Sequence, residues 1–218
     1  TFLATGPSPT LQAIARGDEH EVSLHPNNAP NSTQGSNLNE IIAGLRKTYP
    51  EAAGTRFHVL GHSYLDLILL SEYGMAYDVS TLRFNSPFLL PVWHADIRMT
   101  LLSYSGEDGF AVEGKMPSTL ESIDLETPGL KILNFHPFNV YMNFADTNEK
   151  SRFQKDNPDL GNCPVEIAEK YRTGGNGAGM VLENLLESLH KRNVKTATLR
   201  ELSNAYCCVE QEKIFPHE

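Results

Sequence analysis

The chain has 218 residues, of which 40% are hydrophobic and 21% are charged, and its formal net charge at pH 7 is -9. This composition is typical of one soluble globular domain, and no apolar run reaches the length of a membrane-spanning helix. The negative net charge argues against a nucleic-acid partner, which needs a basic face, and leaves open a carbohydrate or another small-molecule substrate.

The 3 cysteines do not show the C-x-x-C spacing of a metal site. We interpret them as free thiols of a reducing compartment, which predicts a cytoplasmic protein, with one long-range disulfide as the alternative. The sequence starts at Thr1 rather than at a methionine, so the lack of a visible signal segment excludes no targeting route. The sequence does not define an oligomeric state.

The N-terminal third alternates between segments typical of strands and segments typical of helices. Short apolar runs predict strands over residues 1–5, 19–24, 55–60 and 75–79. The Ser8-Pro9 pair predicts a helix start, and apolar spacing predicts an amphipathic helix over 37–48. Ser63 and Asp66 resemble a capping box for a third helix. Between these elements, residues 26–36 form a long polar loop.

The remaining sequence is less regular. Residues 84–127 contain prolines that break long elements, and we interpret them as an irregular insertion. The run 130–135 predicts a buried central strand that ends at His136-Pro137. Residues 144–178 predict a polar surface excursion with a flexible glycine-rich end. A helix around Leu182–Leu189, a strand at 194–197 and a last helix opened by Thr198 and Glu201 complete the chain.

This alternation predicts an α/β fold with a mostly parallel sheet and outer helices. A complete eight-stranded (β/α) barrel needs ~250 residues, so a distorted or incomplete barrel fits better. We therefore expect residues 1–218 to form a single domain whose first strand would precede Thr1.

Three histidines, His25, His58 and His136, follow predicted strands. Because the carboxyl ends of parallel strands meet at one edge, we expect their imidazoles to lie close together. Such a group suits a divalent metal of the zinc type, completed by a carboxylate or water. Alternatively, one histidine is a general acid, or all three are scattered structural residues.

Five further residues are candidates for the same site. Arg56 shares a strand face with His58 and either forms a structural ion pair or holds a catalytic carboxylate. Asp96 is either a solvated residue or an acid/base. Trp93 is either a core residue or a sugar-stacking platform. An aspartate in the context of Asp78 more often caps a turn than catalyses; we interpret Asp78, and Asn27 in the polar loop, as candidate substrate-binding residues.

The order of these motifs resembles the polysaccharide deacetylases with the NodB-homology fold, carbohydrate esterase family 4. Thr1-Phe2-Leu3-Ala4-Thr5 is similar to the second strand of that family, and Glu21-Val22-Ser23-Leu24-His25 to a segment whose histidine binds the metal. Arg56-Phe57-His58 stands where the family has an arginine that supports the catalytic carboxylate. Leu133-Asn134-Phe135-His136 is similar to the family's general-acid motif, and residues 195–202 resemble its last unit.

A divergent branch of that family is more similar still. His25-Pro26-Asn27, Arg56-x-His58 and His136-Pro137 resemble deacetylase-like proteins of surface-polysaccharide and lipopolysaccharide (O-antigen) biosynthesis. Two departures are clear. Ala29 stands where the family has a second metal-binding histidine, and the family's catalytic aspartate pair would precede Thr1.

The resemblance implies a metal-dependent hydrolase, with zinc as the expected metal, that removes an N-acyl group from a sugar or polysaccharide. By the resemblance, His25 would hold the metal and His136 would protonate the leaving amine; from its predicted position beside them, His58 would replace the missing metal ligand. Arg56 would orient the carboxylate base, which is Asp96 or a residue before Thr1. The alternatives are a metal-free amidase of the same superfamily and a carbohydrate-binding relative without activity.

Overall fold

In the computed structural model, residues 1–84, 86–114 and 123–214 are described. The strands are β1 Phe2–Ala4, β2 Val22–Leu24, β3 Gly54–Thr55, β4 Tyr77–Leu82, β5 Val92–His94, β6 Met99–Tyr104, β7 Gly106–Glu107 and β8 Leu133–Asn134. The helices are α1 Pro9–Ala15, α2 Leu38–Thr48, α3 Tyr64–Glu72, α4 Asp108–Val112, α5 Pro137–Met142, α6 Thr147–Asp156, α7 Val165–Tyr171, α8 Ala178–Lys191 and α9 Leu199–Ile214.

The chain divides into two compact units. The sheet unit comprises residues 1–83, 89–104 and the C-terminal segment from residue 196. The helical unit comprises residues 84–88 and 105–195. The expectation of a single domain over 1–218 stays a prediction.

The sheet unit is built on one six-stranded sheet in the order β1-β2-β3-β4-β6-β5. Its strands pair in parallel except for β5, which runs antiparallel to β6. The α/β class and the mostly parallel sheet are thereby confirmed. Among the described strands the sheet is open, with β1 and β5 at its edges.

The capping residues predicted from the sequence form the expected hydrogen bonds at the starts of two helices. Ser63 and Asp66 form the reciprocal capping box at the start of α3. Thr198 and Glu201 exchange the equivalent bonds at the start of α9, with Thr198 N donating to Glu201 Oε2 at 2.7 Å. The apolar stripe of α2 is buried against the sheet. These helices bury one core, whose largest members are Tyr49, Phe57, Leu24, Ile41, Ile42, Leu70, Met75 and Met99.

A second, more polar cluster lies around Tyr77 in β4. Its hydroxyl donates to Glu21 Oε1 at 2.9 Å and lies 2.9 Å from Ser23 Oγ, and its ring passes over Gly54. A Cβ on Gly54 would lie 2.3 Å from that ring, so only glycine fits there. Burial raises the pKa of Tyr77 well above its usual value, which keeps the phenol a hydrogen-bond donor.

The helical unit contains the parallel pair β7 and β8, with α4 between them in the chain, and then the helices α5 to α8. The polar segment 144–178, predicted as a surface excursion, is mostly exposed, and it contains α6, α7 and the start of α8. Phe153 of α6 is buried in the core of this unit with Met142 and Phe144. The expected flexible glycine loop is also tied down, because Asn143 Nδ2 donates to Thr173 O and Gly175 O at 2.9 and 3.1 Å.

Three predicted strands differ from the structure. The strand over 55–60 ends at Thr55, because the chain turns into a 3-10 turn at His58–Leu60 with positive φ angles at Val59 and Leu60. The strand at 194–197 is absent, because Val194 N donates to Leu189 O and closes the end of α8. The central strand over 130–135 shrinks to β8, which pairs with β7.

The region 84–127 is more regular than predicted. Its described residues contain β5, β6, β7 and α4, and residues 115–122 lie outside the described chain. Among the helices described, none has the length and apolar character needed to cross a membrane.

Candidate active site

His136 lies at the carboxyl end of the parallel pair β7 and β8. Asp108 follows β7 directly and starts α4, and His136 follows β8 by two residues and caps α5. Pro137 occupies the first turn of α5, where its missing N–H costs no helix hydrogen bond. The two strand ends therefore bring a carboxylate and an imidazole to the same edge.

The Asp108 carboxylate fixes the orientation of the His136 ring. Nδ1 of His136 lies 2.7 Å from Oδ1 of Asp108, and the backbone N–H of His136 donates to the same oxygen at 3.0 Å. The Asp108 side chain is 2% exposed, whereas the His136 side chain is 42% exposed. With Nδ1 held by Asp108, Nε2 is the nitrogen that can exchange a proton with a substrate. This arrangement is typical of an acid/base histidine.

A second carboxylate borders this pair. Oε2 of Glu107 accepts a hydrogen bond from Asn134 Nδ2 at 3.2 Å. A Cβ added to Gly109 would lie 3.3 Å from Glu107 Oε1 and 3.5 Å from His136 Cε1. The Glu107 carboxylate and the Cε1–Nδ1 edge of His136 thus border a narrow gap over Gly109, which takes a methyl group only if Glu107 shifts slightly.

Sequence reasoning missed Asp108 and Glu107. Both follow the apolar run of β6, so the criterion that selected His136, a polar residue after a strand, could have selected them as well. The irregular appearance of 84–127 concealed that strand.

In the sheet unit, the structure brings His25 and His58 together. Their ring centroids are 5.5 Å apart, with an interplanar angle of 87°. His25 follows β2, and His58 is held beside it because its backbone N–H donates to Pro26 O at 2.9 Å. Two imidazoles at this separation fit two positions of a tetrahedral metal shell. Within the described residues, no group of three or more metal-binding side chains completes that shell.

Arg56 lies two residues before His58 in the sequence, and its side chain is buried. Its guanidinium lies over the Tyr104 ring, 4.9 Å from the centroid, and Nη2 donates to the Tyr104 hydroxyl at 3.0 Å. The role of Arg56 toward a catalytic carboxylate stays a prediction.

Asp78 is not placed for substrate binding, and that interpretation is corrected here. Its carboxylate is 2% exposed and accepts hydrogen bonds from Thr55 Oγ1 at 2.7 Å and from the N–H and hydroxyl of Ser80, both at 2.9 Å. Burial raises the pKa of Asp78 despite these bonds. Asp78 of β4 is thereby hydrogen-bonded to Thr55 of β3, which links the two strands.

Asp96 is an exposed residue of the turn between β5 and β6. It accepts a hydrogen bond from the Tyr64 hydroxyl, which lowers the pKa of Asp96 and raises that of Tyr64. His94 Nδ1 lies 3.9 Å from Asp96 Oδ1. A carboxylate with a lowered pKa is a weaker base, so these contacts do not favour Asp96 as the general base.

The remaining predicted binding residues have local contacts. Trp93 lies half-buried in the edge strand β5. Asn27 forms a turn in the polar loop, where its Oδ1 accepts from Ala29 N at 3.1 Å and its N–H donates to Gln34 Oε1 at 2.6 Å. Their roles toward a substrate stay predictions.

Comparisons with known proteins agree with the observed architecture. The WbmS-like polysaccharide deacetylase family matches residues 1–154. WbmS of Bordetella bronchiseptica, a crystal structure assigned as a polysaccharide deacetylase involved in O-antigen biosynthesis, has a TM-score of 0.69 at 25% identity, over 85% of this chain and 77% of that chain. A protein from Mycobacterium smegmatis assigned as a polysaccharide deacetylase has a TM-score of 0.46 at 16% identity, over 95% of this chain and 68% of that one. No curated protein matches significantly.

The family match spans well over half of the chain and includes both the His25–His58 pair and the Asp108–His136 pair. The resemblance found in the sequence is confirmed by this match. By its sequence and its fold, the chain belongs to the WbmS-like polysaccharide deacetylases, and it is a hydrolase of amide bonds.

Proposed function

We propose that this chain hydrolyses the N-acetyl group of an amino sugar in a surface polysaccharide, with His136 as the general acid. The Asp108–His136 pair is the observation that carries the proposal, because amide hydrolysis requires protonation of a poor leaving group. The sugar and its biosynthetic setting are proposed from the family and from the O-antigen role assigned to WbmS.

The two residues have separate roles in this reaction. Water adds to the acyl carbonyl and releases one proton to the solvent. As the C–N bond then breaks, its electron pair goes to nitrogen, which takes the Nε2 proton of His136, and a solvent proton restores the imidazolium for the next turnover. The buried Asp108 carboxylate holds the ring and stabilises the imidazolium before the transfer. The products are acetate and the free amine.

We further propose that His25 and His58 are two ligands of a divalent metal, with zinc as the expected ion. Their edge-to-face rings and the short link through Pro26 support this, and the described residues supply only these two positions. A divalent metal held by these two imidazoles would supply Lewis-acid chemistry.

The hydrolysis is tested by acetate release from triacetylchitotriose. We expect turnover by the unaltered chain and a loss of roughly 10²- to 10⁴-fold in His136→Ala. His190→Ala is the matched control, because His190 is exposed on α8, and it should retain full activity. Binding of the probe without acetate release in any form would favour a carbohydrate-binding relative instead.

The metal proposal is tested separately, by equilibrium dialysis against zinc and mass spectrometry of the bound metal. Zinc retention by the unaltered chain should be lost in His25→Ala and in His58→Ala, and kept in His190→Ala. Equal retention in all four proteins would contradict the proposal.

A further inference from the structure

We propose that His62 is a positioning residue, which closes the strained turn after β3 and thereby holds the His58 imidazole beside His25 before any metal binds. This inference rests on the proposed metal site and adds to it a residue that acts through His58. It starts from the exposure of the His58 side chain. Because packing in the core does not fix an exposed ring, its place beside His25 depends on the backbone that carries it.

The backbone directly after His58 is strained. Val59 and Leu60 both have positive φ angles, of 48° and 60°. A left-handed conformation is costly for any residue with a side chain, and it is a genuine outlier for a β-branched residue such as valine. The Val59 side chain is 73% exposed, so its burial does not offset this cost. The turn therefore opens toward extended backbone unless other contacts hold it closed.

Contacts between Phe57 and His62 hold the turn closed. The Phe57 side chain is buried in the core and its backbone N–H donates to Ser80 Oγ at 2.8 Å, so the start of the turn is fixed. The His62 ring stacks on the Phe57 ring, with centroids 5.2 Å apart and an interplanar angle of 16°. Nδ1 of His62 also lies 3.2 Å from the carbonyl oxygen of Leu60, one of the two left-handed residues. His62 thus joins the end of the turn to its start.

The closed turn determines where the His58 ring lies. The backbone N–H of His58 donates to Pro26 O at 2.9 Å, and Pro26 follows His25 directly in the chain. Opening of the turn would break this bond and separate the two rings, whose centroids are 5.5 Å apart. Two ligands that are already in place lose less conformational entropy when a metal binds, so the closed turn raises metal affinity.

Two substitutions separate the closing contacts from the strain that they oppose. His62→Ala removes both the ring stacking and the hydrogen bond, so the strain should open the turn. Val59→Gly removes the strain at that position, because glycine adopts a positive φ without steric cost. In the double variant the turn should therefore stay closed although the His62 side chain is missing.

The first measurement needs no metal. It is the nuclear Overhauser effect between the ring protons of His25 and His58, in the metal-free full chain labelled at histidine. We expect this signal in the unaltered chain, its loss in His62→Ala, and its return when Val59→Gly is added. Its absence from the unaltered chain, or its persistence in His62→Ala, would overturn the positioning role.

Two controls separate this local effect from general changes in stability. Arg98 is also left-handed, with φ 50°, but it directly precedes β6 and lies at the amino edge of the sheet. Adding Arg98→Gly to His62→Ala should not restore the signal, and restoration would overturn the proposal. His20→Ala removes an exposed imidazole that packs on Phe2 in the same unit, and it should keep the signal.

The second measurement is the zinc dissociation constant, from competition with a chromophoric chelator. We expect it to rise roughly 10- to 100-fold in His62→Ala and to return toward the original value when Val59→Gly is added. No zinc binding by the unaltered chain would overturn the metal proposal, while the ring-proton signal would still decide the role of His62. If circular dichroism shows that His62→Ala does not fold, His62→Phe is the second variant. It keeps the ring stacking, loses the hydrogen bond to Leu60 and should weaken the signal; an unchanged signal would contradict the proposal.

Discussion

Nδ1 of His136 lies 2.7 Å from Oδ1 of Asp108, and the same oxygen accepts the backbone N–H of His136. One buried carboxylate oxygen thus fixes both the ring and the chain segment that carries it. The imidazole remains 42% exposed, so its second nitrogen can meet a substrate without movement of the backbone.

The first prediction concerns Asp108→Asn. The amide keeps the shape of the side chain but loses the negative charge that stabilises the imidazolium, so we expect kcat to fall roughly 10²- to 10⁴-fold with little change in KM. The measurement is steady-state acetate release from triacetylchitotriose. A rise in KM at unchanged kcat would contradict the assigned role, because it would indicate an effect on substrate binding alone.

The second prediction concerns the gap over Gly109. An alanine methyl there would lie 3.3 Å from Glu107 Oε1, close enough to push that carboxylate back by a few tenths of an ångström, and at an ordinary 3.5 Å from His136 Cε1. We expect Gly109→Ala to lower kcat/KM about 2- to 5-fold while the melting temperature stays within a few degrees. Gly161→Ala in the same unit is the control, since its Cβ would make an ordinary 3.7 Å contact with Asp159. Equal activity of the two variants would show that the gap is not used.

Sequence patterns predicted the parts of this molecule that depend on local chemistry. The stripe of α2 and the capping bonds of Ser63 and Thr198 follow from side chains within a few residues of one another, and all are confirmed. Of the three histidines predicted to meet, His25 and His58 do so, although His58 lies on a turn rather than on a strand, whereas His136 belongs to the helical unit. The two rings still lie together because the backbone N–H of His58 donates a hydrogen bond to the carbonyl oxygen of Pro26.

The parts that could not be predicted depend on contacts between distant segments. The strands β7 and β8 have two residues each, too short for any alternation pattern, and they exist because the segments around 106 and 133 pair with each other. The partner of His136 is 28 positions away and lies at the end of such a strand. Asp78 has the sequence context of a turn residue, and only the pairing of β3 with β4 buries it.

The third prediction is a pH dependence that arises from Asp78. Burial raises its pKa in the folded state, so the folded chain holds this proton more tightly than the unfolded chain does. As pH rises from the unfolded pKa near 3.8 through the higher folded pKa, the buried charge forms and the free energy of unfolding falls. Asp78→Asn cannot ionise, so its stability relative to the unaltered chain should increase with pH over this window. Urea unfolding at several pH values from 4 to 7 measures the difference.

Thr55→Val provides the check on the sign of this effect. The Thr55 hydroxyl donates to Asp78 at 2.7 Å and lowers its pKa, so its removal should raise the pKa further and extend the loss of stability to higher pH. Parallel stability curves for the unaltered chain and Asp78→Asn would contradict the argument, because they would mean that Asp78 binds its proton equally in both states.

The last prediction compares two glycine-to-alanine substitutions in the sheet unit. A Cβ on Gly54 would lie 2.3 Å from the Tyr77 ring, whose hydroxyl is held by Glu21, so the ring cannot move without breaking a buried bond. We expect Gly54→Ala to cost about 3 kcal/mol of unfolding free energy. Gly44 is exposed within α2 with no atom within 4 Å of its Cβ position, so Gly44→Ala should stabilise by about 0.5–1 kcal/mol. Because both changes add the same methyl group, urea unfolding of the pair separates the close approach over Gly54 from the general effect of replacing glycine. Equal free energies for the two variants would show that Tyr77 is free to shift, and that its bond to Glu21 does not hold the ring in place.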